Sequence, residues 1–200
     1  MTDRYDTTGN PEDEYYPDTS VLINHEGIRD STALLDRETE LQIAAYEEIF
    51  TSFDVALTPD LPFFYYLHHL MFSPLFVWAG RPRTVGIEKG GTPFCPPQNI
   101  DSMMSSIFTE LEHEQWLAGL DSDLFIERAA YYICEINAVH PFREGNGRAI
   151  RFHADVLSAK SRGDIFDWTR SSPDEYLQAC VAGFGQDYGR MYRVLKRCAS

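Results

Sequence analysis

Between His140 and Arg151 the chain reads His-Pro-Phe-Arg-Glu-Gly-Asn-Gly-Arg-Ala-Ile-Arg, which brings an imidazole, a carboxylate, a glycine-flanked asparagine and, after it, the two guanidiniums of Arg148 and Arg151 into one short stretch. Gly145-Asn146-Gly147 can adopt left-handed backbone angles and aim successive N–H groups at an anion. A helix expected from about Asn146 to Lys160 would hold that anion at its N-terminus, where unpaired amides and the helix dipole favour negative charge. Arg148 and Arg151 are three apart and share one face of that helix. Two planar, permanently charged groups there suit the outer phosphates of a nucleoside triphosphate. Glu144 is a hard oxygen donor, and Mg2+ is commonly held by one or two carboxylates together with substrate phosphates. His140 is then left for acid-base work, because an unperturbed imidazole titrates near neutrality.

Each of these residues alone has an ordinary structural reading, since His-Pro is a common turn and a lone Gly-x-Gly is weak. Only the ordered set carries chemistry. A zinc pair formed by His140 and Glu144 would need a continuous helix between them. Pro141 and Gly145 argue against that helix, and no further histidine stands at ligand spacing.

At its defining positions the stretch matches the motif HxFx(D/E)GNGRxxR, and the chain therefore resembles the Fic family. The resemblance implies a motif loop and helix that bind Mg-ATP, and transfer of AMP to a hydroxyl side chain of a target protein. By position, His140 would be the base that deprotonates the target hydroxyl, and Phe142 would anchor the loop in the core. Glu144 would hold Mg2+, Gly145, Asn146 and Gly147 would form the anion hole, and Arg148 and Arg151 would hold the β and γ phosphates. Doc-type relatives that act as kinases depart from these glycines, so the intact Gly-Asn-Gly-Arg favours AMP transfer. The alternatives are transfer of another phosphate-containing moiety, or a scaffold that keeps the fold only for binding.

A second stretch resembles the flap of that family, a hairpin over the active site that pairs with an extended segment of the target by strand addition. Trp78-Ala79-Gly80-Arg81 closes an apolar helical run, and two short extended pieces follow around Lys89-Gly90-Gly91, placing the flap at about residues 81–95. Lys89, Gly90 and Thr92 are the expected flap residues near nucleotide or target. An exposed hairpin edge is normally a liability; here it would be the docking surface.

Two hundred residues with 44% hydrophobic content suffice for one packed domain. The expected division is a polar, acidic and solvated arm over residues 1–20 and a single Fic-like domain over 21–200. No apolar run approaches 18 residues, and the N-terminus has no signal-peptide core, so a membrane is not expected and the cytoplasm is. The cysteines Cys95, Cys134, Cys180 and Cys198 show no metal or redox spacing and read as reduced thiols, with Cys134 in the core. A net charge of −14 argues against direct binding of nucleic acid, which rests on lysine and arginine.

The elements that must position the motif are helical. Apolar spacing predicts helices over Glu38 to Phe50, from Pro62 to Trp78, and over Ile100 to Leu117 with Met103, Met104, Ile107, Phe108 and Leu111 inward. His68 and His69 read as packed or capping residues. Asp121-Ser122-Asp123 caps a helix to Val139 that delivers His140, Ser171-Ser172-Pro173 starts another, and a last runs from near Tyr188 to Arg197. The fold class is mostly α, a Fic-type helical bundle with a small β-hairpin flap.

Many Fic proteins carry an inhibitory helix with a (S/T)xxx(E/D)Gxx(N) pattern whose acid pairs with the second motif arginine, here Arg151. Glu26-Gly27 lacks the hydroxyl residue, with Leu22 in its place and Asp30 at the asparagine position. Glu175 follows Ser171, but Tyr176 replaces the glycine. The resemblance to family members without such a helix implies a small antitoxin that supplies it in trans. Type II topoisomerase subunits are the family precedent for targets, which would present a Tyr, Ser or Thr hydroxyl.

Overall fold

A computed structural model describes residues 6–8, 15–54 and 56–199. Seven helices and a small sheet are laid out in chain order as β1 (Asp6–Thr8), α1 (Ser31–Thr51), α2 (Leu61–Phe72), β2 (Gly86–Lys89), β3 (Thr92–Pro93), α3 (Ile100–His113), α4 (Ser122–Val139), α5 (Asn146–Arg162), α6 (Pro173–Phe184) and α7 (Gly189–Cys198). The mostly helical class expected from the sequence is what is found. At the centre, α4 packs against α3, α5, α6 and α7, while α2 packs on α1 and α5. The only buried polar residues on α4 are Asn137 and, at its C-terminal end, His140.

Local chemistry explains most boundaries. Asp30 caps α1 by accepting from Ala33 N–H, Asp60 caps α2 with Pro62 in the first turn, and Asp121 caps α4 through two N–H groups. Ser172 and Glu175 form a reciprocal capping box on α6. Three expectations shift. Helix α1 starts at Ser31, not Glu38, because its cap lies upstream of a weakly patterned first turn in which Leu35 is exposed. Helix α2 stops at Phe72, not Trp78: Ser73 still has helical angles and donates to His69 C=O, but Pro74 has no N–H to continue the ladder. Helix α3 stops at His113, after which Gln115, Trp116 and Leu117 all have positive φ, a left-handed turn no periodicity announces. Met103 faces solvent, whereas Met104, Ile107, Phe108 and Leu111 are buried.

The flap is the predicted hairpin, with Gly90 and Gly91 both at positive φ in its two-residue turn. A third strand joins it: β1 runs antiparallel to β2, Asp6 opposite Glu88 and Thr8 opposite Gly86. Ile87 C=O accepts from Phe94 N–H on the β3 side. The two polar groups of a strand residue point the same way, so Gly86 and Glu88 turn theirs toward β1. On β3, Pro93 sits opposite Glu88 and faces outward, so its missing N–H costs the hairpin nothing and removes a donor from the outer edge. Of the arm expected to be solvated over residues 1–20, the segment Asp6–Thr8 is thus docked and Tyr15 is buried; residues 1–5 and 9–14 lie outside the described residues.

Candidate active site

The motif loop is built from the inside out. Phe142 is fully buried, stacked on the His68 imidazole at 3.7 Å between ring centroids and packed against Phe64 and Tyr65. Burial of a side chain of this size contributes about 1.5–3 kcal/mol. His68 ties three segments together: its Nδ1 accepts from Gly80 N–H at 2.9 Å, which leaves Nε2 to donate to Glu144 C=O at 2.9 Å. Burial holds its pKa down to about 3, so the ring is neutral. The Asn146 side chain closes the loop, accepting from Phe142 N–H and donating to Phe142 C=O, each at 2.8 Å.

Gly145 has φ +78, and a Cβ there would lie 2.5 Å from the Phe72 ring. Only glycine fits this junction. Helix α5 begins one residue later, so the N–H groups of Asn146 and Gly147 fall in the first turn, where a helix supplies no acceptor of its own.

His140 terminates α4 in the left-handed conformation, with φ 52. Its Nδ1 is 3.0 Å from Asn137 C=O, and a carbonyl only accepts, so the proton resides on Nδ1 and the basic nitrogen is Nε2. The ring stacks on Phe94 at 3.9 Å. Burial, with smaller contributions from Arg83 and Lys89, lowers its pKa to about 3.

Flap and loop meet at Arg83, a buried residue that sequence reasoning missed. Its backbone N–H donates to Pro141 C=O at 2.8 Å. Its guanidinium donates to His140 C=O (2.8 Å), Val139 C=O (3.2 Å), Val85 C=O (2.8 Å) and Cys95 C=O (2.5 Å). The last two carbonyls flank the hairpin, and the first two are the C-terminal carbonyls of α4, where a cation also complements the helix dipole. In sequence it stands between Pro82 and Thr84 like any exposed basic turn residue, with no signal of burial.

A cavity of about 590 Å³ opens between flap, motif helix and α6, a size suited to a small ligand. His140, Gly147 and Arg151 face it from the motif, and Lys89, Gly90, Thr92 and Phe94 from the flap. Leu177, Val181 and Phe184 of α6 give it an apolar wall, and all three are exposed. This wall was also missed, because on α6 these residues read as an ordinary amphipathic face. Arg151 lies over the Tyr176 ring, 5.0 Å from its centroid. Arg148 is held differently, by Glu38 of α1 at 2.6 Å and over the Phe72 ring at 4.6 Å. The structure does not bring Glu144, Gly145, Asn146 or Arg148 to the cavity wall with His140. Glu144 accepts from Gly145 N–H, and burial raises its pKa. Neither candidate inhibitory acid reaches Arg151: Glu26 pairs with Arg37, and Glu175 caps α6 and pairs with Arg197.

A glycine-fixed helix start with a tautomer-fixed histidine beneath a hairpin is the arrangement of a Fic-type transferase. Residues 58–158 match the Fic/DOC family model, and the chain belongs to that family. It is 31% identical over 205 residues to a probable protein adenylyltransferase Fic of Escherichia coli, covering all of this chain and 97% of that protein. It is 35% identical over 182 residues to the protein adenylyltransferase VbhT of Bartonella schoenbuchensis, covering 90% of this chain; the match spans only 37% of VbhT. Among solved structures, BepC from Bartonella tribocorum with bound AMPPNP superposes with a TM-score of 0.84 at 23% identity, covering 94% of this chain and 96% of that one. A Fic domain from Bartonella quintana with bound ADP superposes with a TM-score of 0.82 at 20% identity over 94% of each chain. No helix among the described residues is long and apolar enough to cross a membrane.

Proposed function

We propose that this chain is a protein adenylyltransferase that moves AMP from ATP to a hydroxyl side chain of a target protein. The observation that carries the reading is the single cavity in which His140 faces Gly147 and Arg151 under the flap. The triphosphate lies on the first turn of α5 with its outer phosphates toward the arginines, and the base rests on Leu177, Val181 and Phe184. His140 Nε2 takes the proton of the target hydroxyl. The oxygen so freed attacks the α phosphorus, the bond to the bridging oxygen of the β phosphate breaks, and pyrophosphate leaves with that oxygen. A neutral imidazole is the form the step needs, and the negative charge of bound phosphates raises its proton affinity as it accepts.

Among the described residues no group of three or more His, Cys, Asp or Glu could hold a metal, so a divalent cation would depend on Glu144 and the phosphates together. One carboxylate plus phosphate oxygens suits Mg2+, which when bound neutralises charge on the phosphates.

Lys89, Gly90 and Thr92 fall where an extended target segment would pass. The finer reading is a toxin restrained by a small helical antitoxin that delivers a carboxylate to Arg151, acting in the cytoplasm on type II topoisomerase subunits. It is supported by the engagement of Glu26 and Glu175 elsewhere. ATP labelled at the α phosphate should label a target protein, and His140→Ala should abolish this. Label entering from the γ phosphate would make the chain a kinase, and co-expression without any stable small partner would remove the antitoxin.

A further inference from the structure

Glu38 lies on α1, upstream of the span matched by the family model, which begins at residue 58. It is 6% exposed, and its Oε2 accepts from Arg148 Nη1 at 2.6 Å. The same guanidinium rests on the Phe72 ring, so its plane is fixed from two sides. Glu144 precedes Arg148 by four residues. The two interact: Arg148 lowers the proton affinity of the Glu144 carboxyl, and Glu38 raises it. Three ionisable side chains, two acids and a base, thus act on one another at the start of α5.

A carboxylate on a phosphate-facing arginine repels phosphate, so Glu38 does not serve nucleotide affinity. What it changes is the direction of the guanidinium. Glu144 stands just before the Gly145 N-cap of α5 and Arg148 in the first turn, near enough for their charges to act on each other, and a two-pronged pairing between them would consume both carboxylate oxygens. We propose that Glu38 is a positioning residue that holds Arg148 over Phe72 and away from Glu144, leaving the Glu144 carboxylate open to the divalent cation that accompanies the nucleotide. This rests on the reading of the site as a metal–ATP site. Glu38 then acts as an outer-shell partner of the metal ligand, a class of residue whose loss typically lowers metal affinity about 10- to 100-fold.

The test is calorimetric titration of Glu38→Gln and wild type with a non-hydrolysable ATP analogue, first in EDTA and then with saturating Mn2+. In EDTA the variant should bind as tightly as wild type or a few-fold tighter, having lost a repelling charge. The gain in affinity on adding Mn2+ should fall about tenfold, and the Mn2+ paramagnetic resonance signal of the complex should report the lost carboxylate ligand. An undiminished gain would overturn the proposal. So would an equal loss in both titrations, which is what a purely structural residue gives, or an equal increase in both, which is what a mere competitor for Arg148 gives. If Glu38→Gln does not fold, Glu38→Asp is titrated the same way, and it must lose the Mn2+ gain selectively for the proposal to stand. A wild-type protein with no Mn2+ gain at all would remove the metal reading of the site itself, whereas a gain that survives substitution removes only the role of Glu38.

Discussion

At the scale of single residues, the chemistry is set by what surrounds His140. Its pKa, lowered to about 3 by burial, means that the free enzyme holds a neutral imidazole throughout the range where most histidines titrate. The pH profile of kcat/KM should therefore show no acid limb near 6.5, and a limb there that disappears in His140→Ala would contradict the assignment. In that variant, AMP transfer should drop on the order of 10²- to 10⁴-fold, the usual share of a positioned base, with the binding of nucleotide retained in a fluorescence titration. Arg83 makes a second claim at this scale. Its fork meets four carbonyls at once, and lysine has no such fork. Arg83→Lys should lower stability by about 1–3 kcal/mol through carbonyls left unpaired and should lower kcat more than it raises KM for ATP. Equal melting curves for variant and wild type would be evidence against this.

At the scale of elements, two turns are decided by backbone angle. Gly145 joins loop to helix at φ +78 against the Phe72 ring, so Gly145→Ala must move that ring, on which Arg148 rests. Overpacking of this kind costs about 1–3 kcal/mol, and nucleotide affinity should fall with it in the same titration. The opposite sign is expected after α3. Gln115 is exposed and held at φ 54, so Gln115→Gly should raise stability by about 1 kcal/mol, measured by urea unfolding. The motif loop was legible in the sequence because its function demands residue types that also dictate its shape: glycine at the left-handed angle, proline ending a helix, asparagine bridging the loop. The flap turn was legible for the same reason. Glu38 and Arg83 were not, because their roles come from residues far along the chain, and a glutamate in a polar helix or an arginine beside a proline looks solvated. The ends of α2 and α3 were misjudged because an apolar pattern persists past the point where Ser73-Pro74 and the left-handed turn at Gln115 break the helix.

At the scale of the whole molecule, burial of neutral histidines governs the response to acid. His68 and His140 have pKa values lowered to about 3 and His153 to about 4, all by desolvation. Below the unfolded value near 6.5 the unfolded chain takes up three protons that the folded chain refuses, so stability is lost as pH falls through that range. Asp155 works the other way. It is buried among the Tyr46 O–H, the Trp168 indole N–H and the Phe166 backbone N–H, and burial raises its pKa to about 6, so the folded state keeps its proton while the unfolded state, with a value near 4, has lost it. Among these four groups the balance is a net uptake of about two protons on unfolding between pH 6 and 4. Urea midpoints measured across that window should decline toward acid, and the decline should steepen in Asp155→Asn. A midpoint that rises toward pH 4 would mean that the histidines do not dominate.

The pairing of β1 with β2 is made between main-chain groups. An alanine scan through Asp6, Thr7 and Thr8 leaves every main-chain N–H and C=O in place. A proline scan does not, and its answer depends on parity. Asp6 and Thr8 turn their polar groups toward Glu88 and Gly86, while Thr7 turns its own away. Thr8→Pro should accordingly expose the Glu88 and Gly86 amides to hydrogen exchange, and Thr7→Pro should leave them protected. Odd and even positions along three residues of threonine and aspartate become distinguishable by a clock at a neighbouring strand.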